Sequence, residues 1–194
     1  MVDLFNYTRR ASSVAHIGSL DLGGDNPVRI QSMTTTNTND TEACIRQAEE
    51  IIKAGGELVR FTTQGSREAE NMKNINAGIR ADGYLTPLVA DVHFNPNVAD
   101  VAALYCEKVR VNPGNYVDPA RKFIKQEYTD EEYAHELQKI EDRFVPFLNI
   151  CKENHTAIRI GVNHGSLSDR IRNRYGDTPE GIVESCMEFL RICK

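Results

Sequence analysis

Hydrophobic positions along the chain fall into a recurring unit: a short run rich in Val, Ile or Leu, a polar turn, then apolar residues at three- and four-residue steps. The short runs, Val28–Met33, Glu57–Thr62, Pro87–His93, Lys108–Asn112 and Ala157–Asn163, read as strands. The stepped segments read as amphipathic helices. Asp40 is placed to cap a helix through Ala54 that turns Cys44, Ala48, Ile51 and Ile52 to one side, with Gly55 as its stop. Ser66 is placed to cap the next, with Met72, Ile75 and Ile79 inward, and Asn95-Pro96 opens a third carrying Val98, Val101, Ala102 and Tyr105. Thr129 and Glu132 form a capping box for a fourth, along which Tyr133, Leu137, Ile140, Phe144, Phe147 and Cys151 follow, and Pro146 predicts a kink or a split there. A last helix begins at Asp177-Thr178-Pro179 and carries Ile182, Val183, Cys186, Phe189 and Leu190.

Five alternations of strand and helix predict parallel βα units, in an open doubly wound sheet or a closed barrel. Val14–Leu22 reads as a hairpin of the kind that plugs the bottom of a barrel. The expected division is a hairpin or lid over residues 1–27 and a partial barrel over 28–194. A closed (β/α)8 TIM barrel takes eight strands and about 250 residues. With five strands visible, the fold class expected is an incomplete TIM-barrel type, and the chain reads as a fragment.

The two faces of these strands differ. Parallel strands buried on both sides are normally apolar on both. Here Arg60 and Thr62 oppose Val59 and Phe61, and Asp91 and His93 oppose Ala90 and Val92. Arg110 and Asn112 oppose Val109 and Val111, while Arg159, Gly161 and Asn163 oppose Ile158, Ile160 and Val162. In a barrel the apolar face lies under the helices and the polar face lines the mouth, where barrel enzymes hold their sites. Three guanidinium groups converging beside one Asp and one His need an anion, and they bind phosphate oxygens in a bidentate way. A small, multiply charged phosphate ester is the expected ligand. The competing reading is a structural ion-pair network, which the single inward acid disfavours. Asp91 and His93 together could transfer a proton or orient a hydroxyl. Metal binding finds no third ligand beside them. Gly23-Gly24 and Pro113-Gly114-Asn115 match neither a P-loop nor a dinucleotide fingerprint, which disfavours a nucleotide site.

Composition narrows the classes further. The 194 residues carry 23 Lys and Arg against 28 Asp and Glu, a net charge of −5 that argues against a nucleic-acid binder. A mean hydropathy of −0.45 and the absence of a long apolar run argue against a membrane span. The N-terminus lacks the apolar core of a signal peptide. Cys44, Cys106, Cys151, Cys186 and Cys193 form an odd, scattered set with no CxxC pair, which reads as reduced thiols in a cytoplasmic protein.

Several segments together resemble the 4-hydroxy-3-methylbut-2-enyl diphosphate synthase family of the methylerythritol phosphate route to isoprenoids: GGDNPVRIQSM at 23–33, TTTNTNDT at 34–41, LVADVHF at 88–94, KVRVNPGNY at 108–116 and IRIGVNHGSLSDRI at 158–171. The likeness runs from about Tyr7 to the last residue, and TQGSREAENM, EYTDEEY and RYGDTP resemble its longer, three-domain variant. The resemblance implies an oxidoreductase that opens 2-C-methyl-D-erythritol 2,4-cyclodiphosphate by two-electron reduction at a [4Fe-4S] cluster. It also implies a homo-oligomer and an electron donor such as ferredoxin or flavodoxin. Arg60, Arg110, Asn112, Arg159 and Asn163 match family positions that contact the substrate. Asp91 and His93 match its acid and histidine near the substrate, with Asp91 the candidate for protonation. The family's cluster ligands and a further lysine match nothing up to Lys194. This chain alone is therefore expected to be inactive, to bind no cluster and no metal, and to carry an unpaired sheet edge. Two alternatives remain: a pterin-binding transferase barrel of the dihydropteroate synthase type, with an aromatic platform at its mouth, and a non-catalytic scaffold.

Overall fold

A computed structural model describes Asn6, residues 10–118 and residues 127–194. Residues 1–5 and 7–9 of the expected lid segment, with Tyr7 at the start of the family resemblance, lie outside the described residues. A hairpin, β1 (Ala15–Ile17) with β2 (Leu20–Leu22), comes first. The parallel sheet then takes β3 (Gln31–Met33), β4 (Leu58–Thr63), β5 (Leu88–Val92), β6 (Lys108–Val111) and β7 (Ala157–Ile160) in sequence order. Each crossover carries a helix: α1 (Thr41–Lys53), α2 (Ser66–Ala81), α3 (Pro96–Ala103) and α4 (Asp130–Glu153). After β7 come α5 (Asp169–Tyr175) and α6 (Pro179–Ile192). Among the described residues the result is an unclosed TIM-barrel sheet of five parallel strands with an N-terminal antiparallel hairpin.

The side-chain alternation sorts the core into two parts. Val59, Phe61, Ala90, Val92, Val109 and Val111 face the helices and pack with Met72, Ile75, Ile79, Val98, Phe144 and Phe147 in the main core. On the opposite face, at the N-terminal ends of the strands, Ile17 of the hairpin packs with Leu58 and Val89. Ile17, Leu20 and Leu22 thus form an apolar floor under the inner face of the sheet.

Several local expectations need correction. The first strand covers only Gln31–Met33, because it is an edge paired on one side with β4. Val28 and Ile30 are exposed, and Arg29 instead pairs with Glu57 at 2.9 Å. Ser66 is the first helical residue of α2 rather than its cap. Gly65 holds the cap position, and the Glu68 carboxylate accepts from the Gln64 and Gly65 N–H groups. Pro146 does not split α4, which runs unbroken from Asp130 to Glu153. Phe144 and Phe147, both fully buried, pin the helix on either side of it, and that packing outweighs the one hydrogen bond proline removes. Val183 and Leu190 of α6 are exposed, and only Phe189 of the apolar set assigned to that helix is fully buried. The short helix α5, capped by Ser168 through the Ile171 N–H, was not foreseen.

Candidate functional site

The polar groups of the inner face stand in rows set by strand register. Arg60 is level with Val89, Lys108 and Ala157 on successive strands. The next row toward the C-terminal ends joins Thr62, Asp91, Arg110 and Arg159. His93, Asn112 and Gly161 follow two residues farther along each strand direction, and Asn163 lies beyond. The residues singled out from sequence therefore share one face, and the apolar floor lies beneath them.

Asp91 is the centre of the cluster and is 2% exposed. Arg60 Nη2 donates to its Oδ2, and Arg110 Nη1 donates to its Oδ1 at 3.1 Å. His93 Nε2 lies 3.3 Å from the same Oδ1 and 3.0 Å from Arg110 Nη1. With its proton on Nε2 the ring donates to Asp91, and with the proton on Nδ1 it accepts from Arg110. Burial alone would raise the Asp91 pKa. Hydrogen bonds from His93 and Arg60 and the charges of Arg60 and Arg110 overcome this and hold it at about 2. Asp91 is thus an ionised carboxylate at neutral pH, a weak base suited to orienting a hydroxyl.

Charge does not balance across this face. Lys108, Arg60, Arg110 and Arg159 are its cations and Asp91 is the one carboxylate among the described residues named in these rows. Arg60 and Arg110 share Asp91. Arg159 is exposed on the open edge strand, and it has no carboxylate partner among the described residues. Arg60 Nε is buried and has no acceptor. Arg60 Nε is thus a buried donor that costs free energy while it is unpaired, and Arg159 is a solvated cation on the same strand face.

The rim is made by two similar turns. Asn112-Pro113-Gly114-Asn115 follows β6, and Asn163-His164-Gly165-Ser166 follows β7. In each, the Asn Oδ1 accepts from the glycine N–H two residues on, at 3.2 Å. Asn112 Nδ2 also donates to Ser166 Oγ at 2.8 Å. The turns touch so closely that a Cβ on Gly114 would stand 1.7 Å from the Ser166 carbonyl oxygen. Asn112 is accordingly engaged in tying the two turns together, while Asn163 is exposed.

Three features add to the sequence reading. Lys108 belongs to the same face by the period of two that places Arg110, and that signal was available. Gly161 admits the Arg110 side chain, whose Nη2 donates to the Gly161 carbonyl at 2.6 Å. Phe94 follows His93 with a φ of 65° and is 63% exposed, so one aromatic ring does stand beside the site. A cavity of about 440 Å³ lies elsewhere, at the N-terminal ends of the strands, lined in part by Gly18, Asn76, Glu107 and His155. There Glu107 is occupied by Arg80 and the Leu88 N–H, both at 2.7 Å, and that end of a barrel serves stability. No helix among the described residues is long and apolar enough to cross a membrane.

Comparison with known proteins adds the following. A family model, the GcpE TIM-barrel domain, matches residues 12–194. A 4-hydroxy-3-methylbut-2-en-1-yl diphosphate synthase (flavodoxin) of Bacteroides thetaiotaomicron is 76% identical over 192 residues, 99% of this chain and 31% of that protein. The protein of the same name from Akkermansia muciniphila is 50% identical over 190 residues, 98% of this chain and 32% of its own length. The chain thus spans about a third of the length of the curated relatives it matches. Among solved structures, a Burkholderia cenocepacia dihydropteroate synthase complexed with 7,8-dihydropteroate has a TM-score of 0.46 at 15% identity, covering 81% of this chain and 65% of that one, a likeness that says nothing of function. By the match over nearly its whole length, this chain belongs to the GcpE TIM-barrel domain family.

Proposed function

We propose that this chain is the substrate-binding part of an isoprenoid-pathway oxidoreductase, and that its inner face binds 2-C-methyl-D-erythritol 2,4-cyclodiphosphate. The observation that carries this reading is the surplus of cations over carboxylates on that face, with Arg159 unpaired among the described residues and Arg60 Nε without an acceptor. A diphosphate supplies the missing acceptors. Arg60, Arg110 and Arg159 take its oxygens, Asn163 and the spare N–H of Asn112 take polar groups at the rim, and His93 adds a ring nitrogen. Asp91, ionised and held from two sides, fixes Arg60 and Arg110 in place. Its remaining lone pairs accept a hydrogen bond from a substrate hydroxyl and orient it, the catalytic part assigned to it in this reading.

The reaction implied is a two-electron reductive opening of the cyclodiphosphate to 4-hydroxy-3-methylbut-2-enyl diphosphate, with electrons from a partner such as ferredoxin or flavodoxin, the latter part of the relatives' names. A [4Fe-4S] cluster supplies such electrons when bound. The cysteines here do not fit one: Cys44, Cys106 and Cys151 are buried in the main core, and burial pushes each thiol up, Cys151 to about 12. Among the described residues no group of three His, Cys, Asp or Glu side chains could hold a metal. The cluster and turnover are assigned to protein outside these residues. Homo-oligomerisation and a cytoplasmic location belong to the same reading, as does the division at residue 27 into hairpin lid and barrel.

Isothermal titration with the cyclodiphosphate tests it. Arg159→Ala is the sharpest variant, since it breaks no ion pair, and loss of one charged contact should weaken binding by roughly 1.5–3 kcal/mol with no change in melting temperature. Absence of binding by the unmodified protein, or preferential binding of a pterin diphosphate, would overturn the proposal.

A further inference from the structure

Lys108 opens β6 and shares the inner face with Arg110. Its neighbours in register are Val89 and Ala157, both part of the apolar cluster around Ile17 that floors the half-barrel. The residue is only 7% exposed. Lysines at an apolar border normally extend their stems until the ammonium reaches water. Here the hairpin residues Ile17, Leu20 and Leu22 close the floor side. Among the described residues, neither a carboxylate nor a hydrogen-bond acceptor is paired with Lys108. The charged neighbours that act on it are Arg60 and Arg159, and burial together with those two cations disfavours its protonated form. The remaining ionisable groups of the face, Asp91, Arg110 and His93, are engaged with one another one row and more above.

A lysine only 7% exposed, beside two cations and without a counter-ion, weakens the ligand-free fold, and Met would fill the same stem without that cost. An anion bound at this face would supply the counter-charge that Lys108 lacks. We propose that Lys108 is a ligand-binding residue of this site, contacting a phosphate oxygen of the diphosphate from the floor side while Arg110 and Arg159 hold it from the row above. The inference rests on the diphosphate reading given above and adds to it a contact beneath the arginine row.

The two roles open to Lys108 predict opposite signs. For a binding residue, K108M raises or preserves the melting temperature of the ligand-free protein and weakens inorganic pyrophosphate and cyclodiphosphate binding ~10-fold or more, while K108R recovers part of the affinity. For a structural lysine, K108M lowers the melting temperature and the folded fraction binds normally. That outcome overturns the inference, as does unchanged affinity in K108M. Should K108M not fold, the unsubstituted protein with ¹³C-labelled lysine side chains decides. The Lys108 ε-carbon resonance, identified by its absence in K108R, shifts on adding pyrophosphate if the contact exists, and a static resonance sinks it. The two proposals fail separately. Pyrophosphate binding that depends on Lys108, without cyclodiphosphate binding, refutes the substrate and supports the contact, whereas cyclodiphosphate binding indifferent to Lys108 does the reverse. Binding of neither anion overturns both.

Discussion

Arg110 lies across Gly161, and the absence of a side chain there is what lets it. A Cβ at position 161 would sit 2.0 Å from Arg110 Nε and 2.8 Å from its Cγ and Cδ. The φ of Gly161 is not in the left-handed region, so the backbone itself would tolerate alanine. The side chain would not, because Arg110 is tethered at its far end to Asp91 and to the Gly161 carbonyl. Gly161→Ala is expected to cost about 1–3 kcal/mol of stability, the usual penalty for overpacking, and to weaken pyrophosphate binding. The cycle with Arg110→Ala separates this from a backbone effect. If the glycine acts through Arg110, the two substitutions together cost clearly less than their sum in chemical denaturation.

Asp91 gives the site its pH signature. Its carboxyl is held at about 2 in the folded protein against an ordinary value of 3.8. A depressed acid stabilises the fold fully above its unfolded value and ceases to do so as pH falls through the folded one. The contribution, on the order of 2 kcal/mol, is expected to vanish between pH about 4 and about 2. Asp91→Asn removes that dependence. At neutral pH it also leaves two guanidinium groups without their anion and should destabilise by about 3–5 kcal/mol. Denaturation of both proteins at several pH values tests this directly: the gap between them must narrow on acidification, and a constant gap refutes the assignment.

Much of this site was legible because sheet geometry is periodic. Once Lys108–Asn112 and Ala157–Asn163 read as strands, alternation put Arg110 and Arg159 on a common face, and register needed only parallel pairing to bring Asp91 between Arg60 and Arg110. Other features depend on tertiary contacts that no local pattern carries. Pro146 signals a break by every local rule, yet Phe144 and Phe147 bury themselves on both sides of it and the helix continues. Ser66 is a good cap residue by type, but Glu68 already binds the two preceding N–H groups, which moves the cap to Gly65. The tie between Asn112 and Ser166, 54 residues apart in sequence and on different turns, is likewise carried by no local pattern.

Not every buried arginine here serves the site, and Arg170 shows the contrast. It lies on α5 with its side chain 2% exposed, bound to Glu188 of α6 by two hydrogen bonds of 2.8 Å and to Asp118 at 3.0 Å. Tyr133 of α4 completes the group, its hydroxyl donating to Glu188 at 2.5 Å and its ring lying 4.7 Å from the Arg170 guanidinium carbon. Two carboxylates answer this one cation, the opposite balance from the inner face, so no anion is invited. The group joins three helices and the segment after β6. Arg170→Met would strand two buried carboxylates and should cost about 3–5 kcal/mol. Pyrophosphate affinity of the molecules that remain folded should stay as it was. A substitution at Arg170 that spared stability but abolished anion binding would mean that charge balance does not distinguish architectural from ligand-binding arginines in this fold.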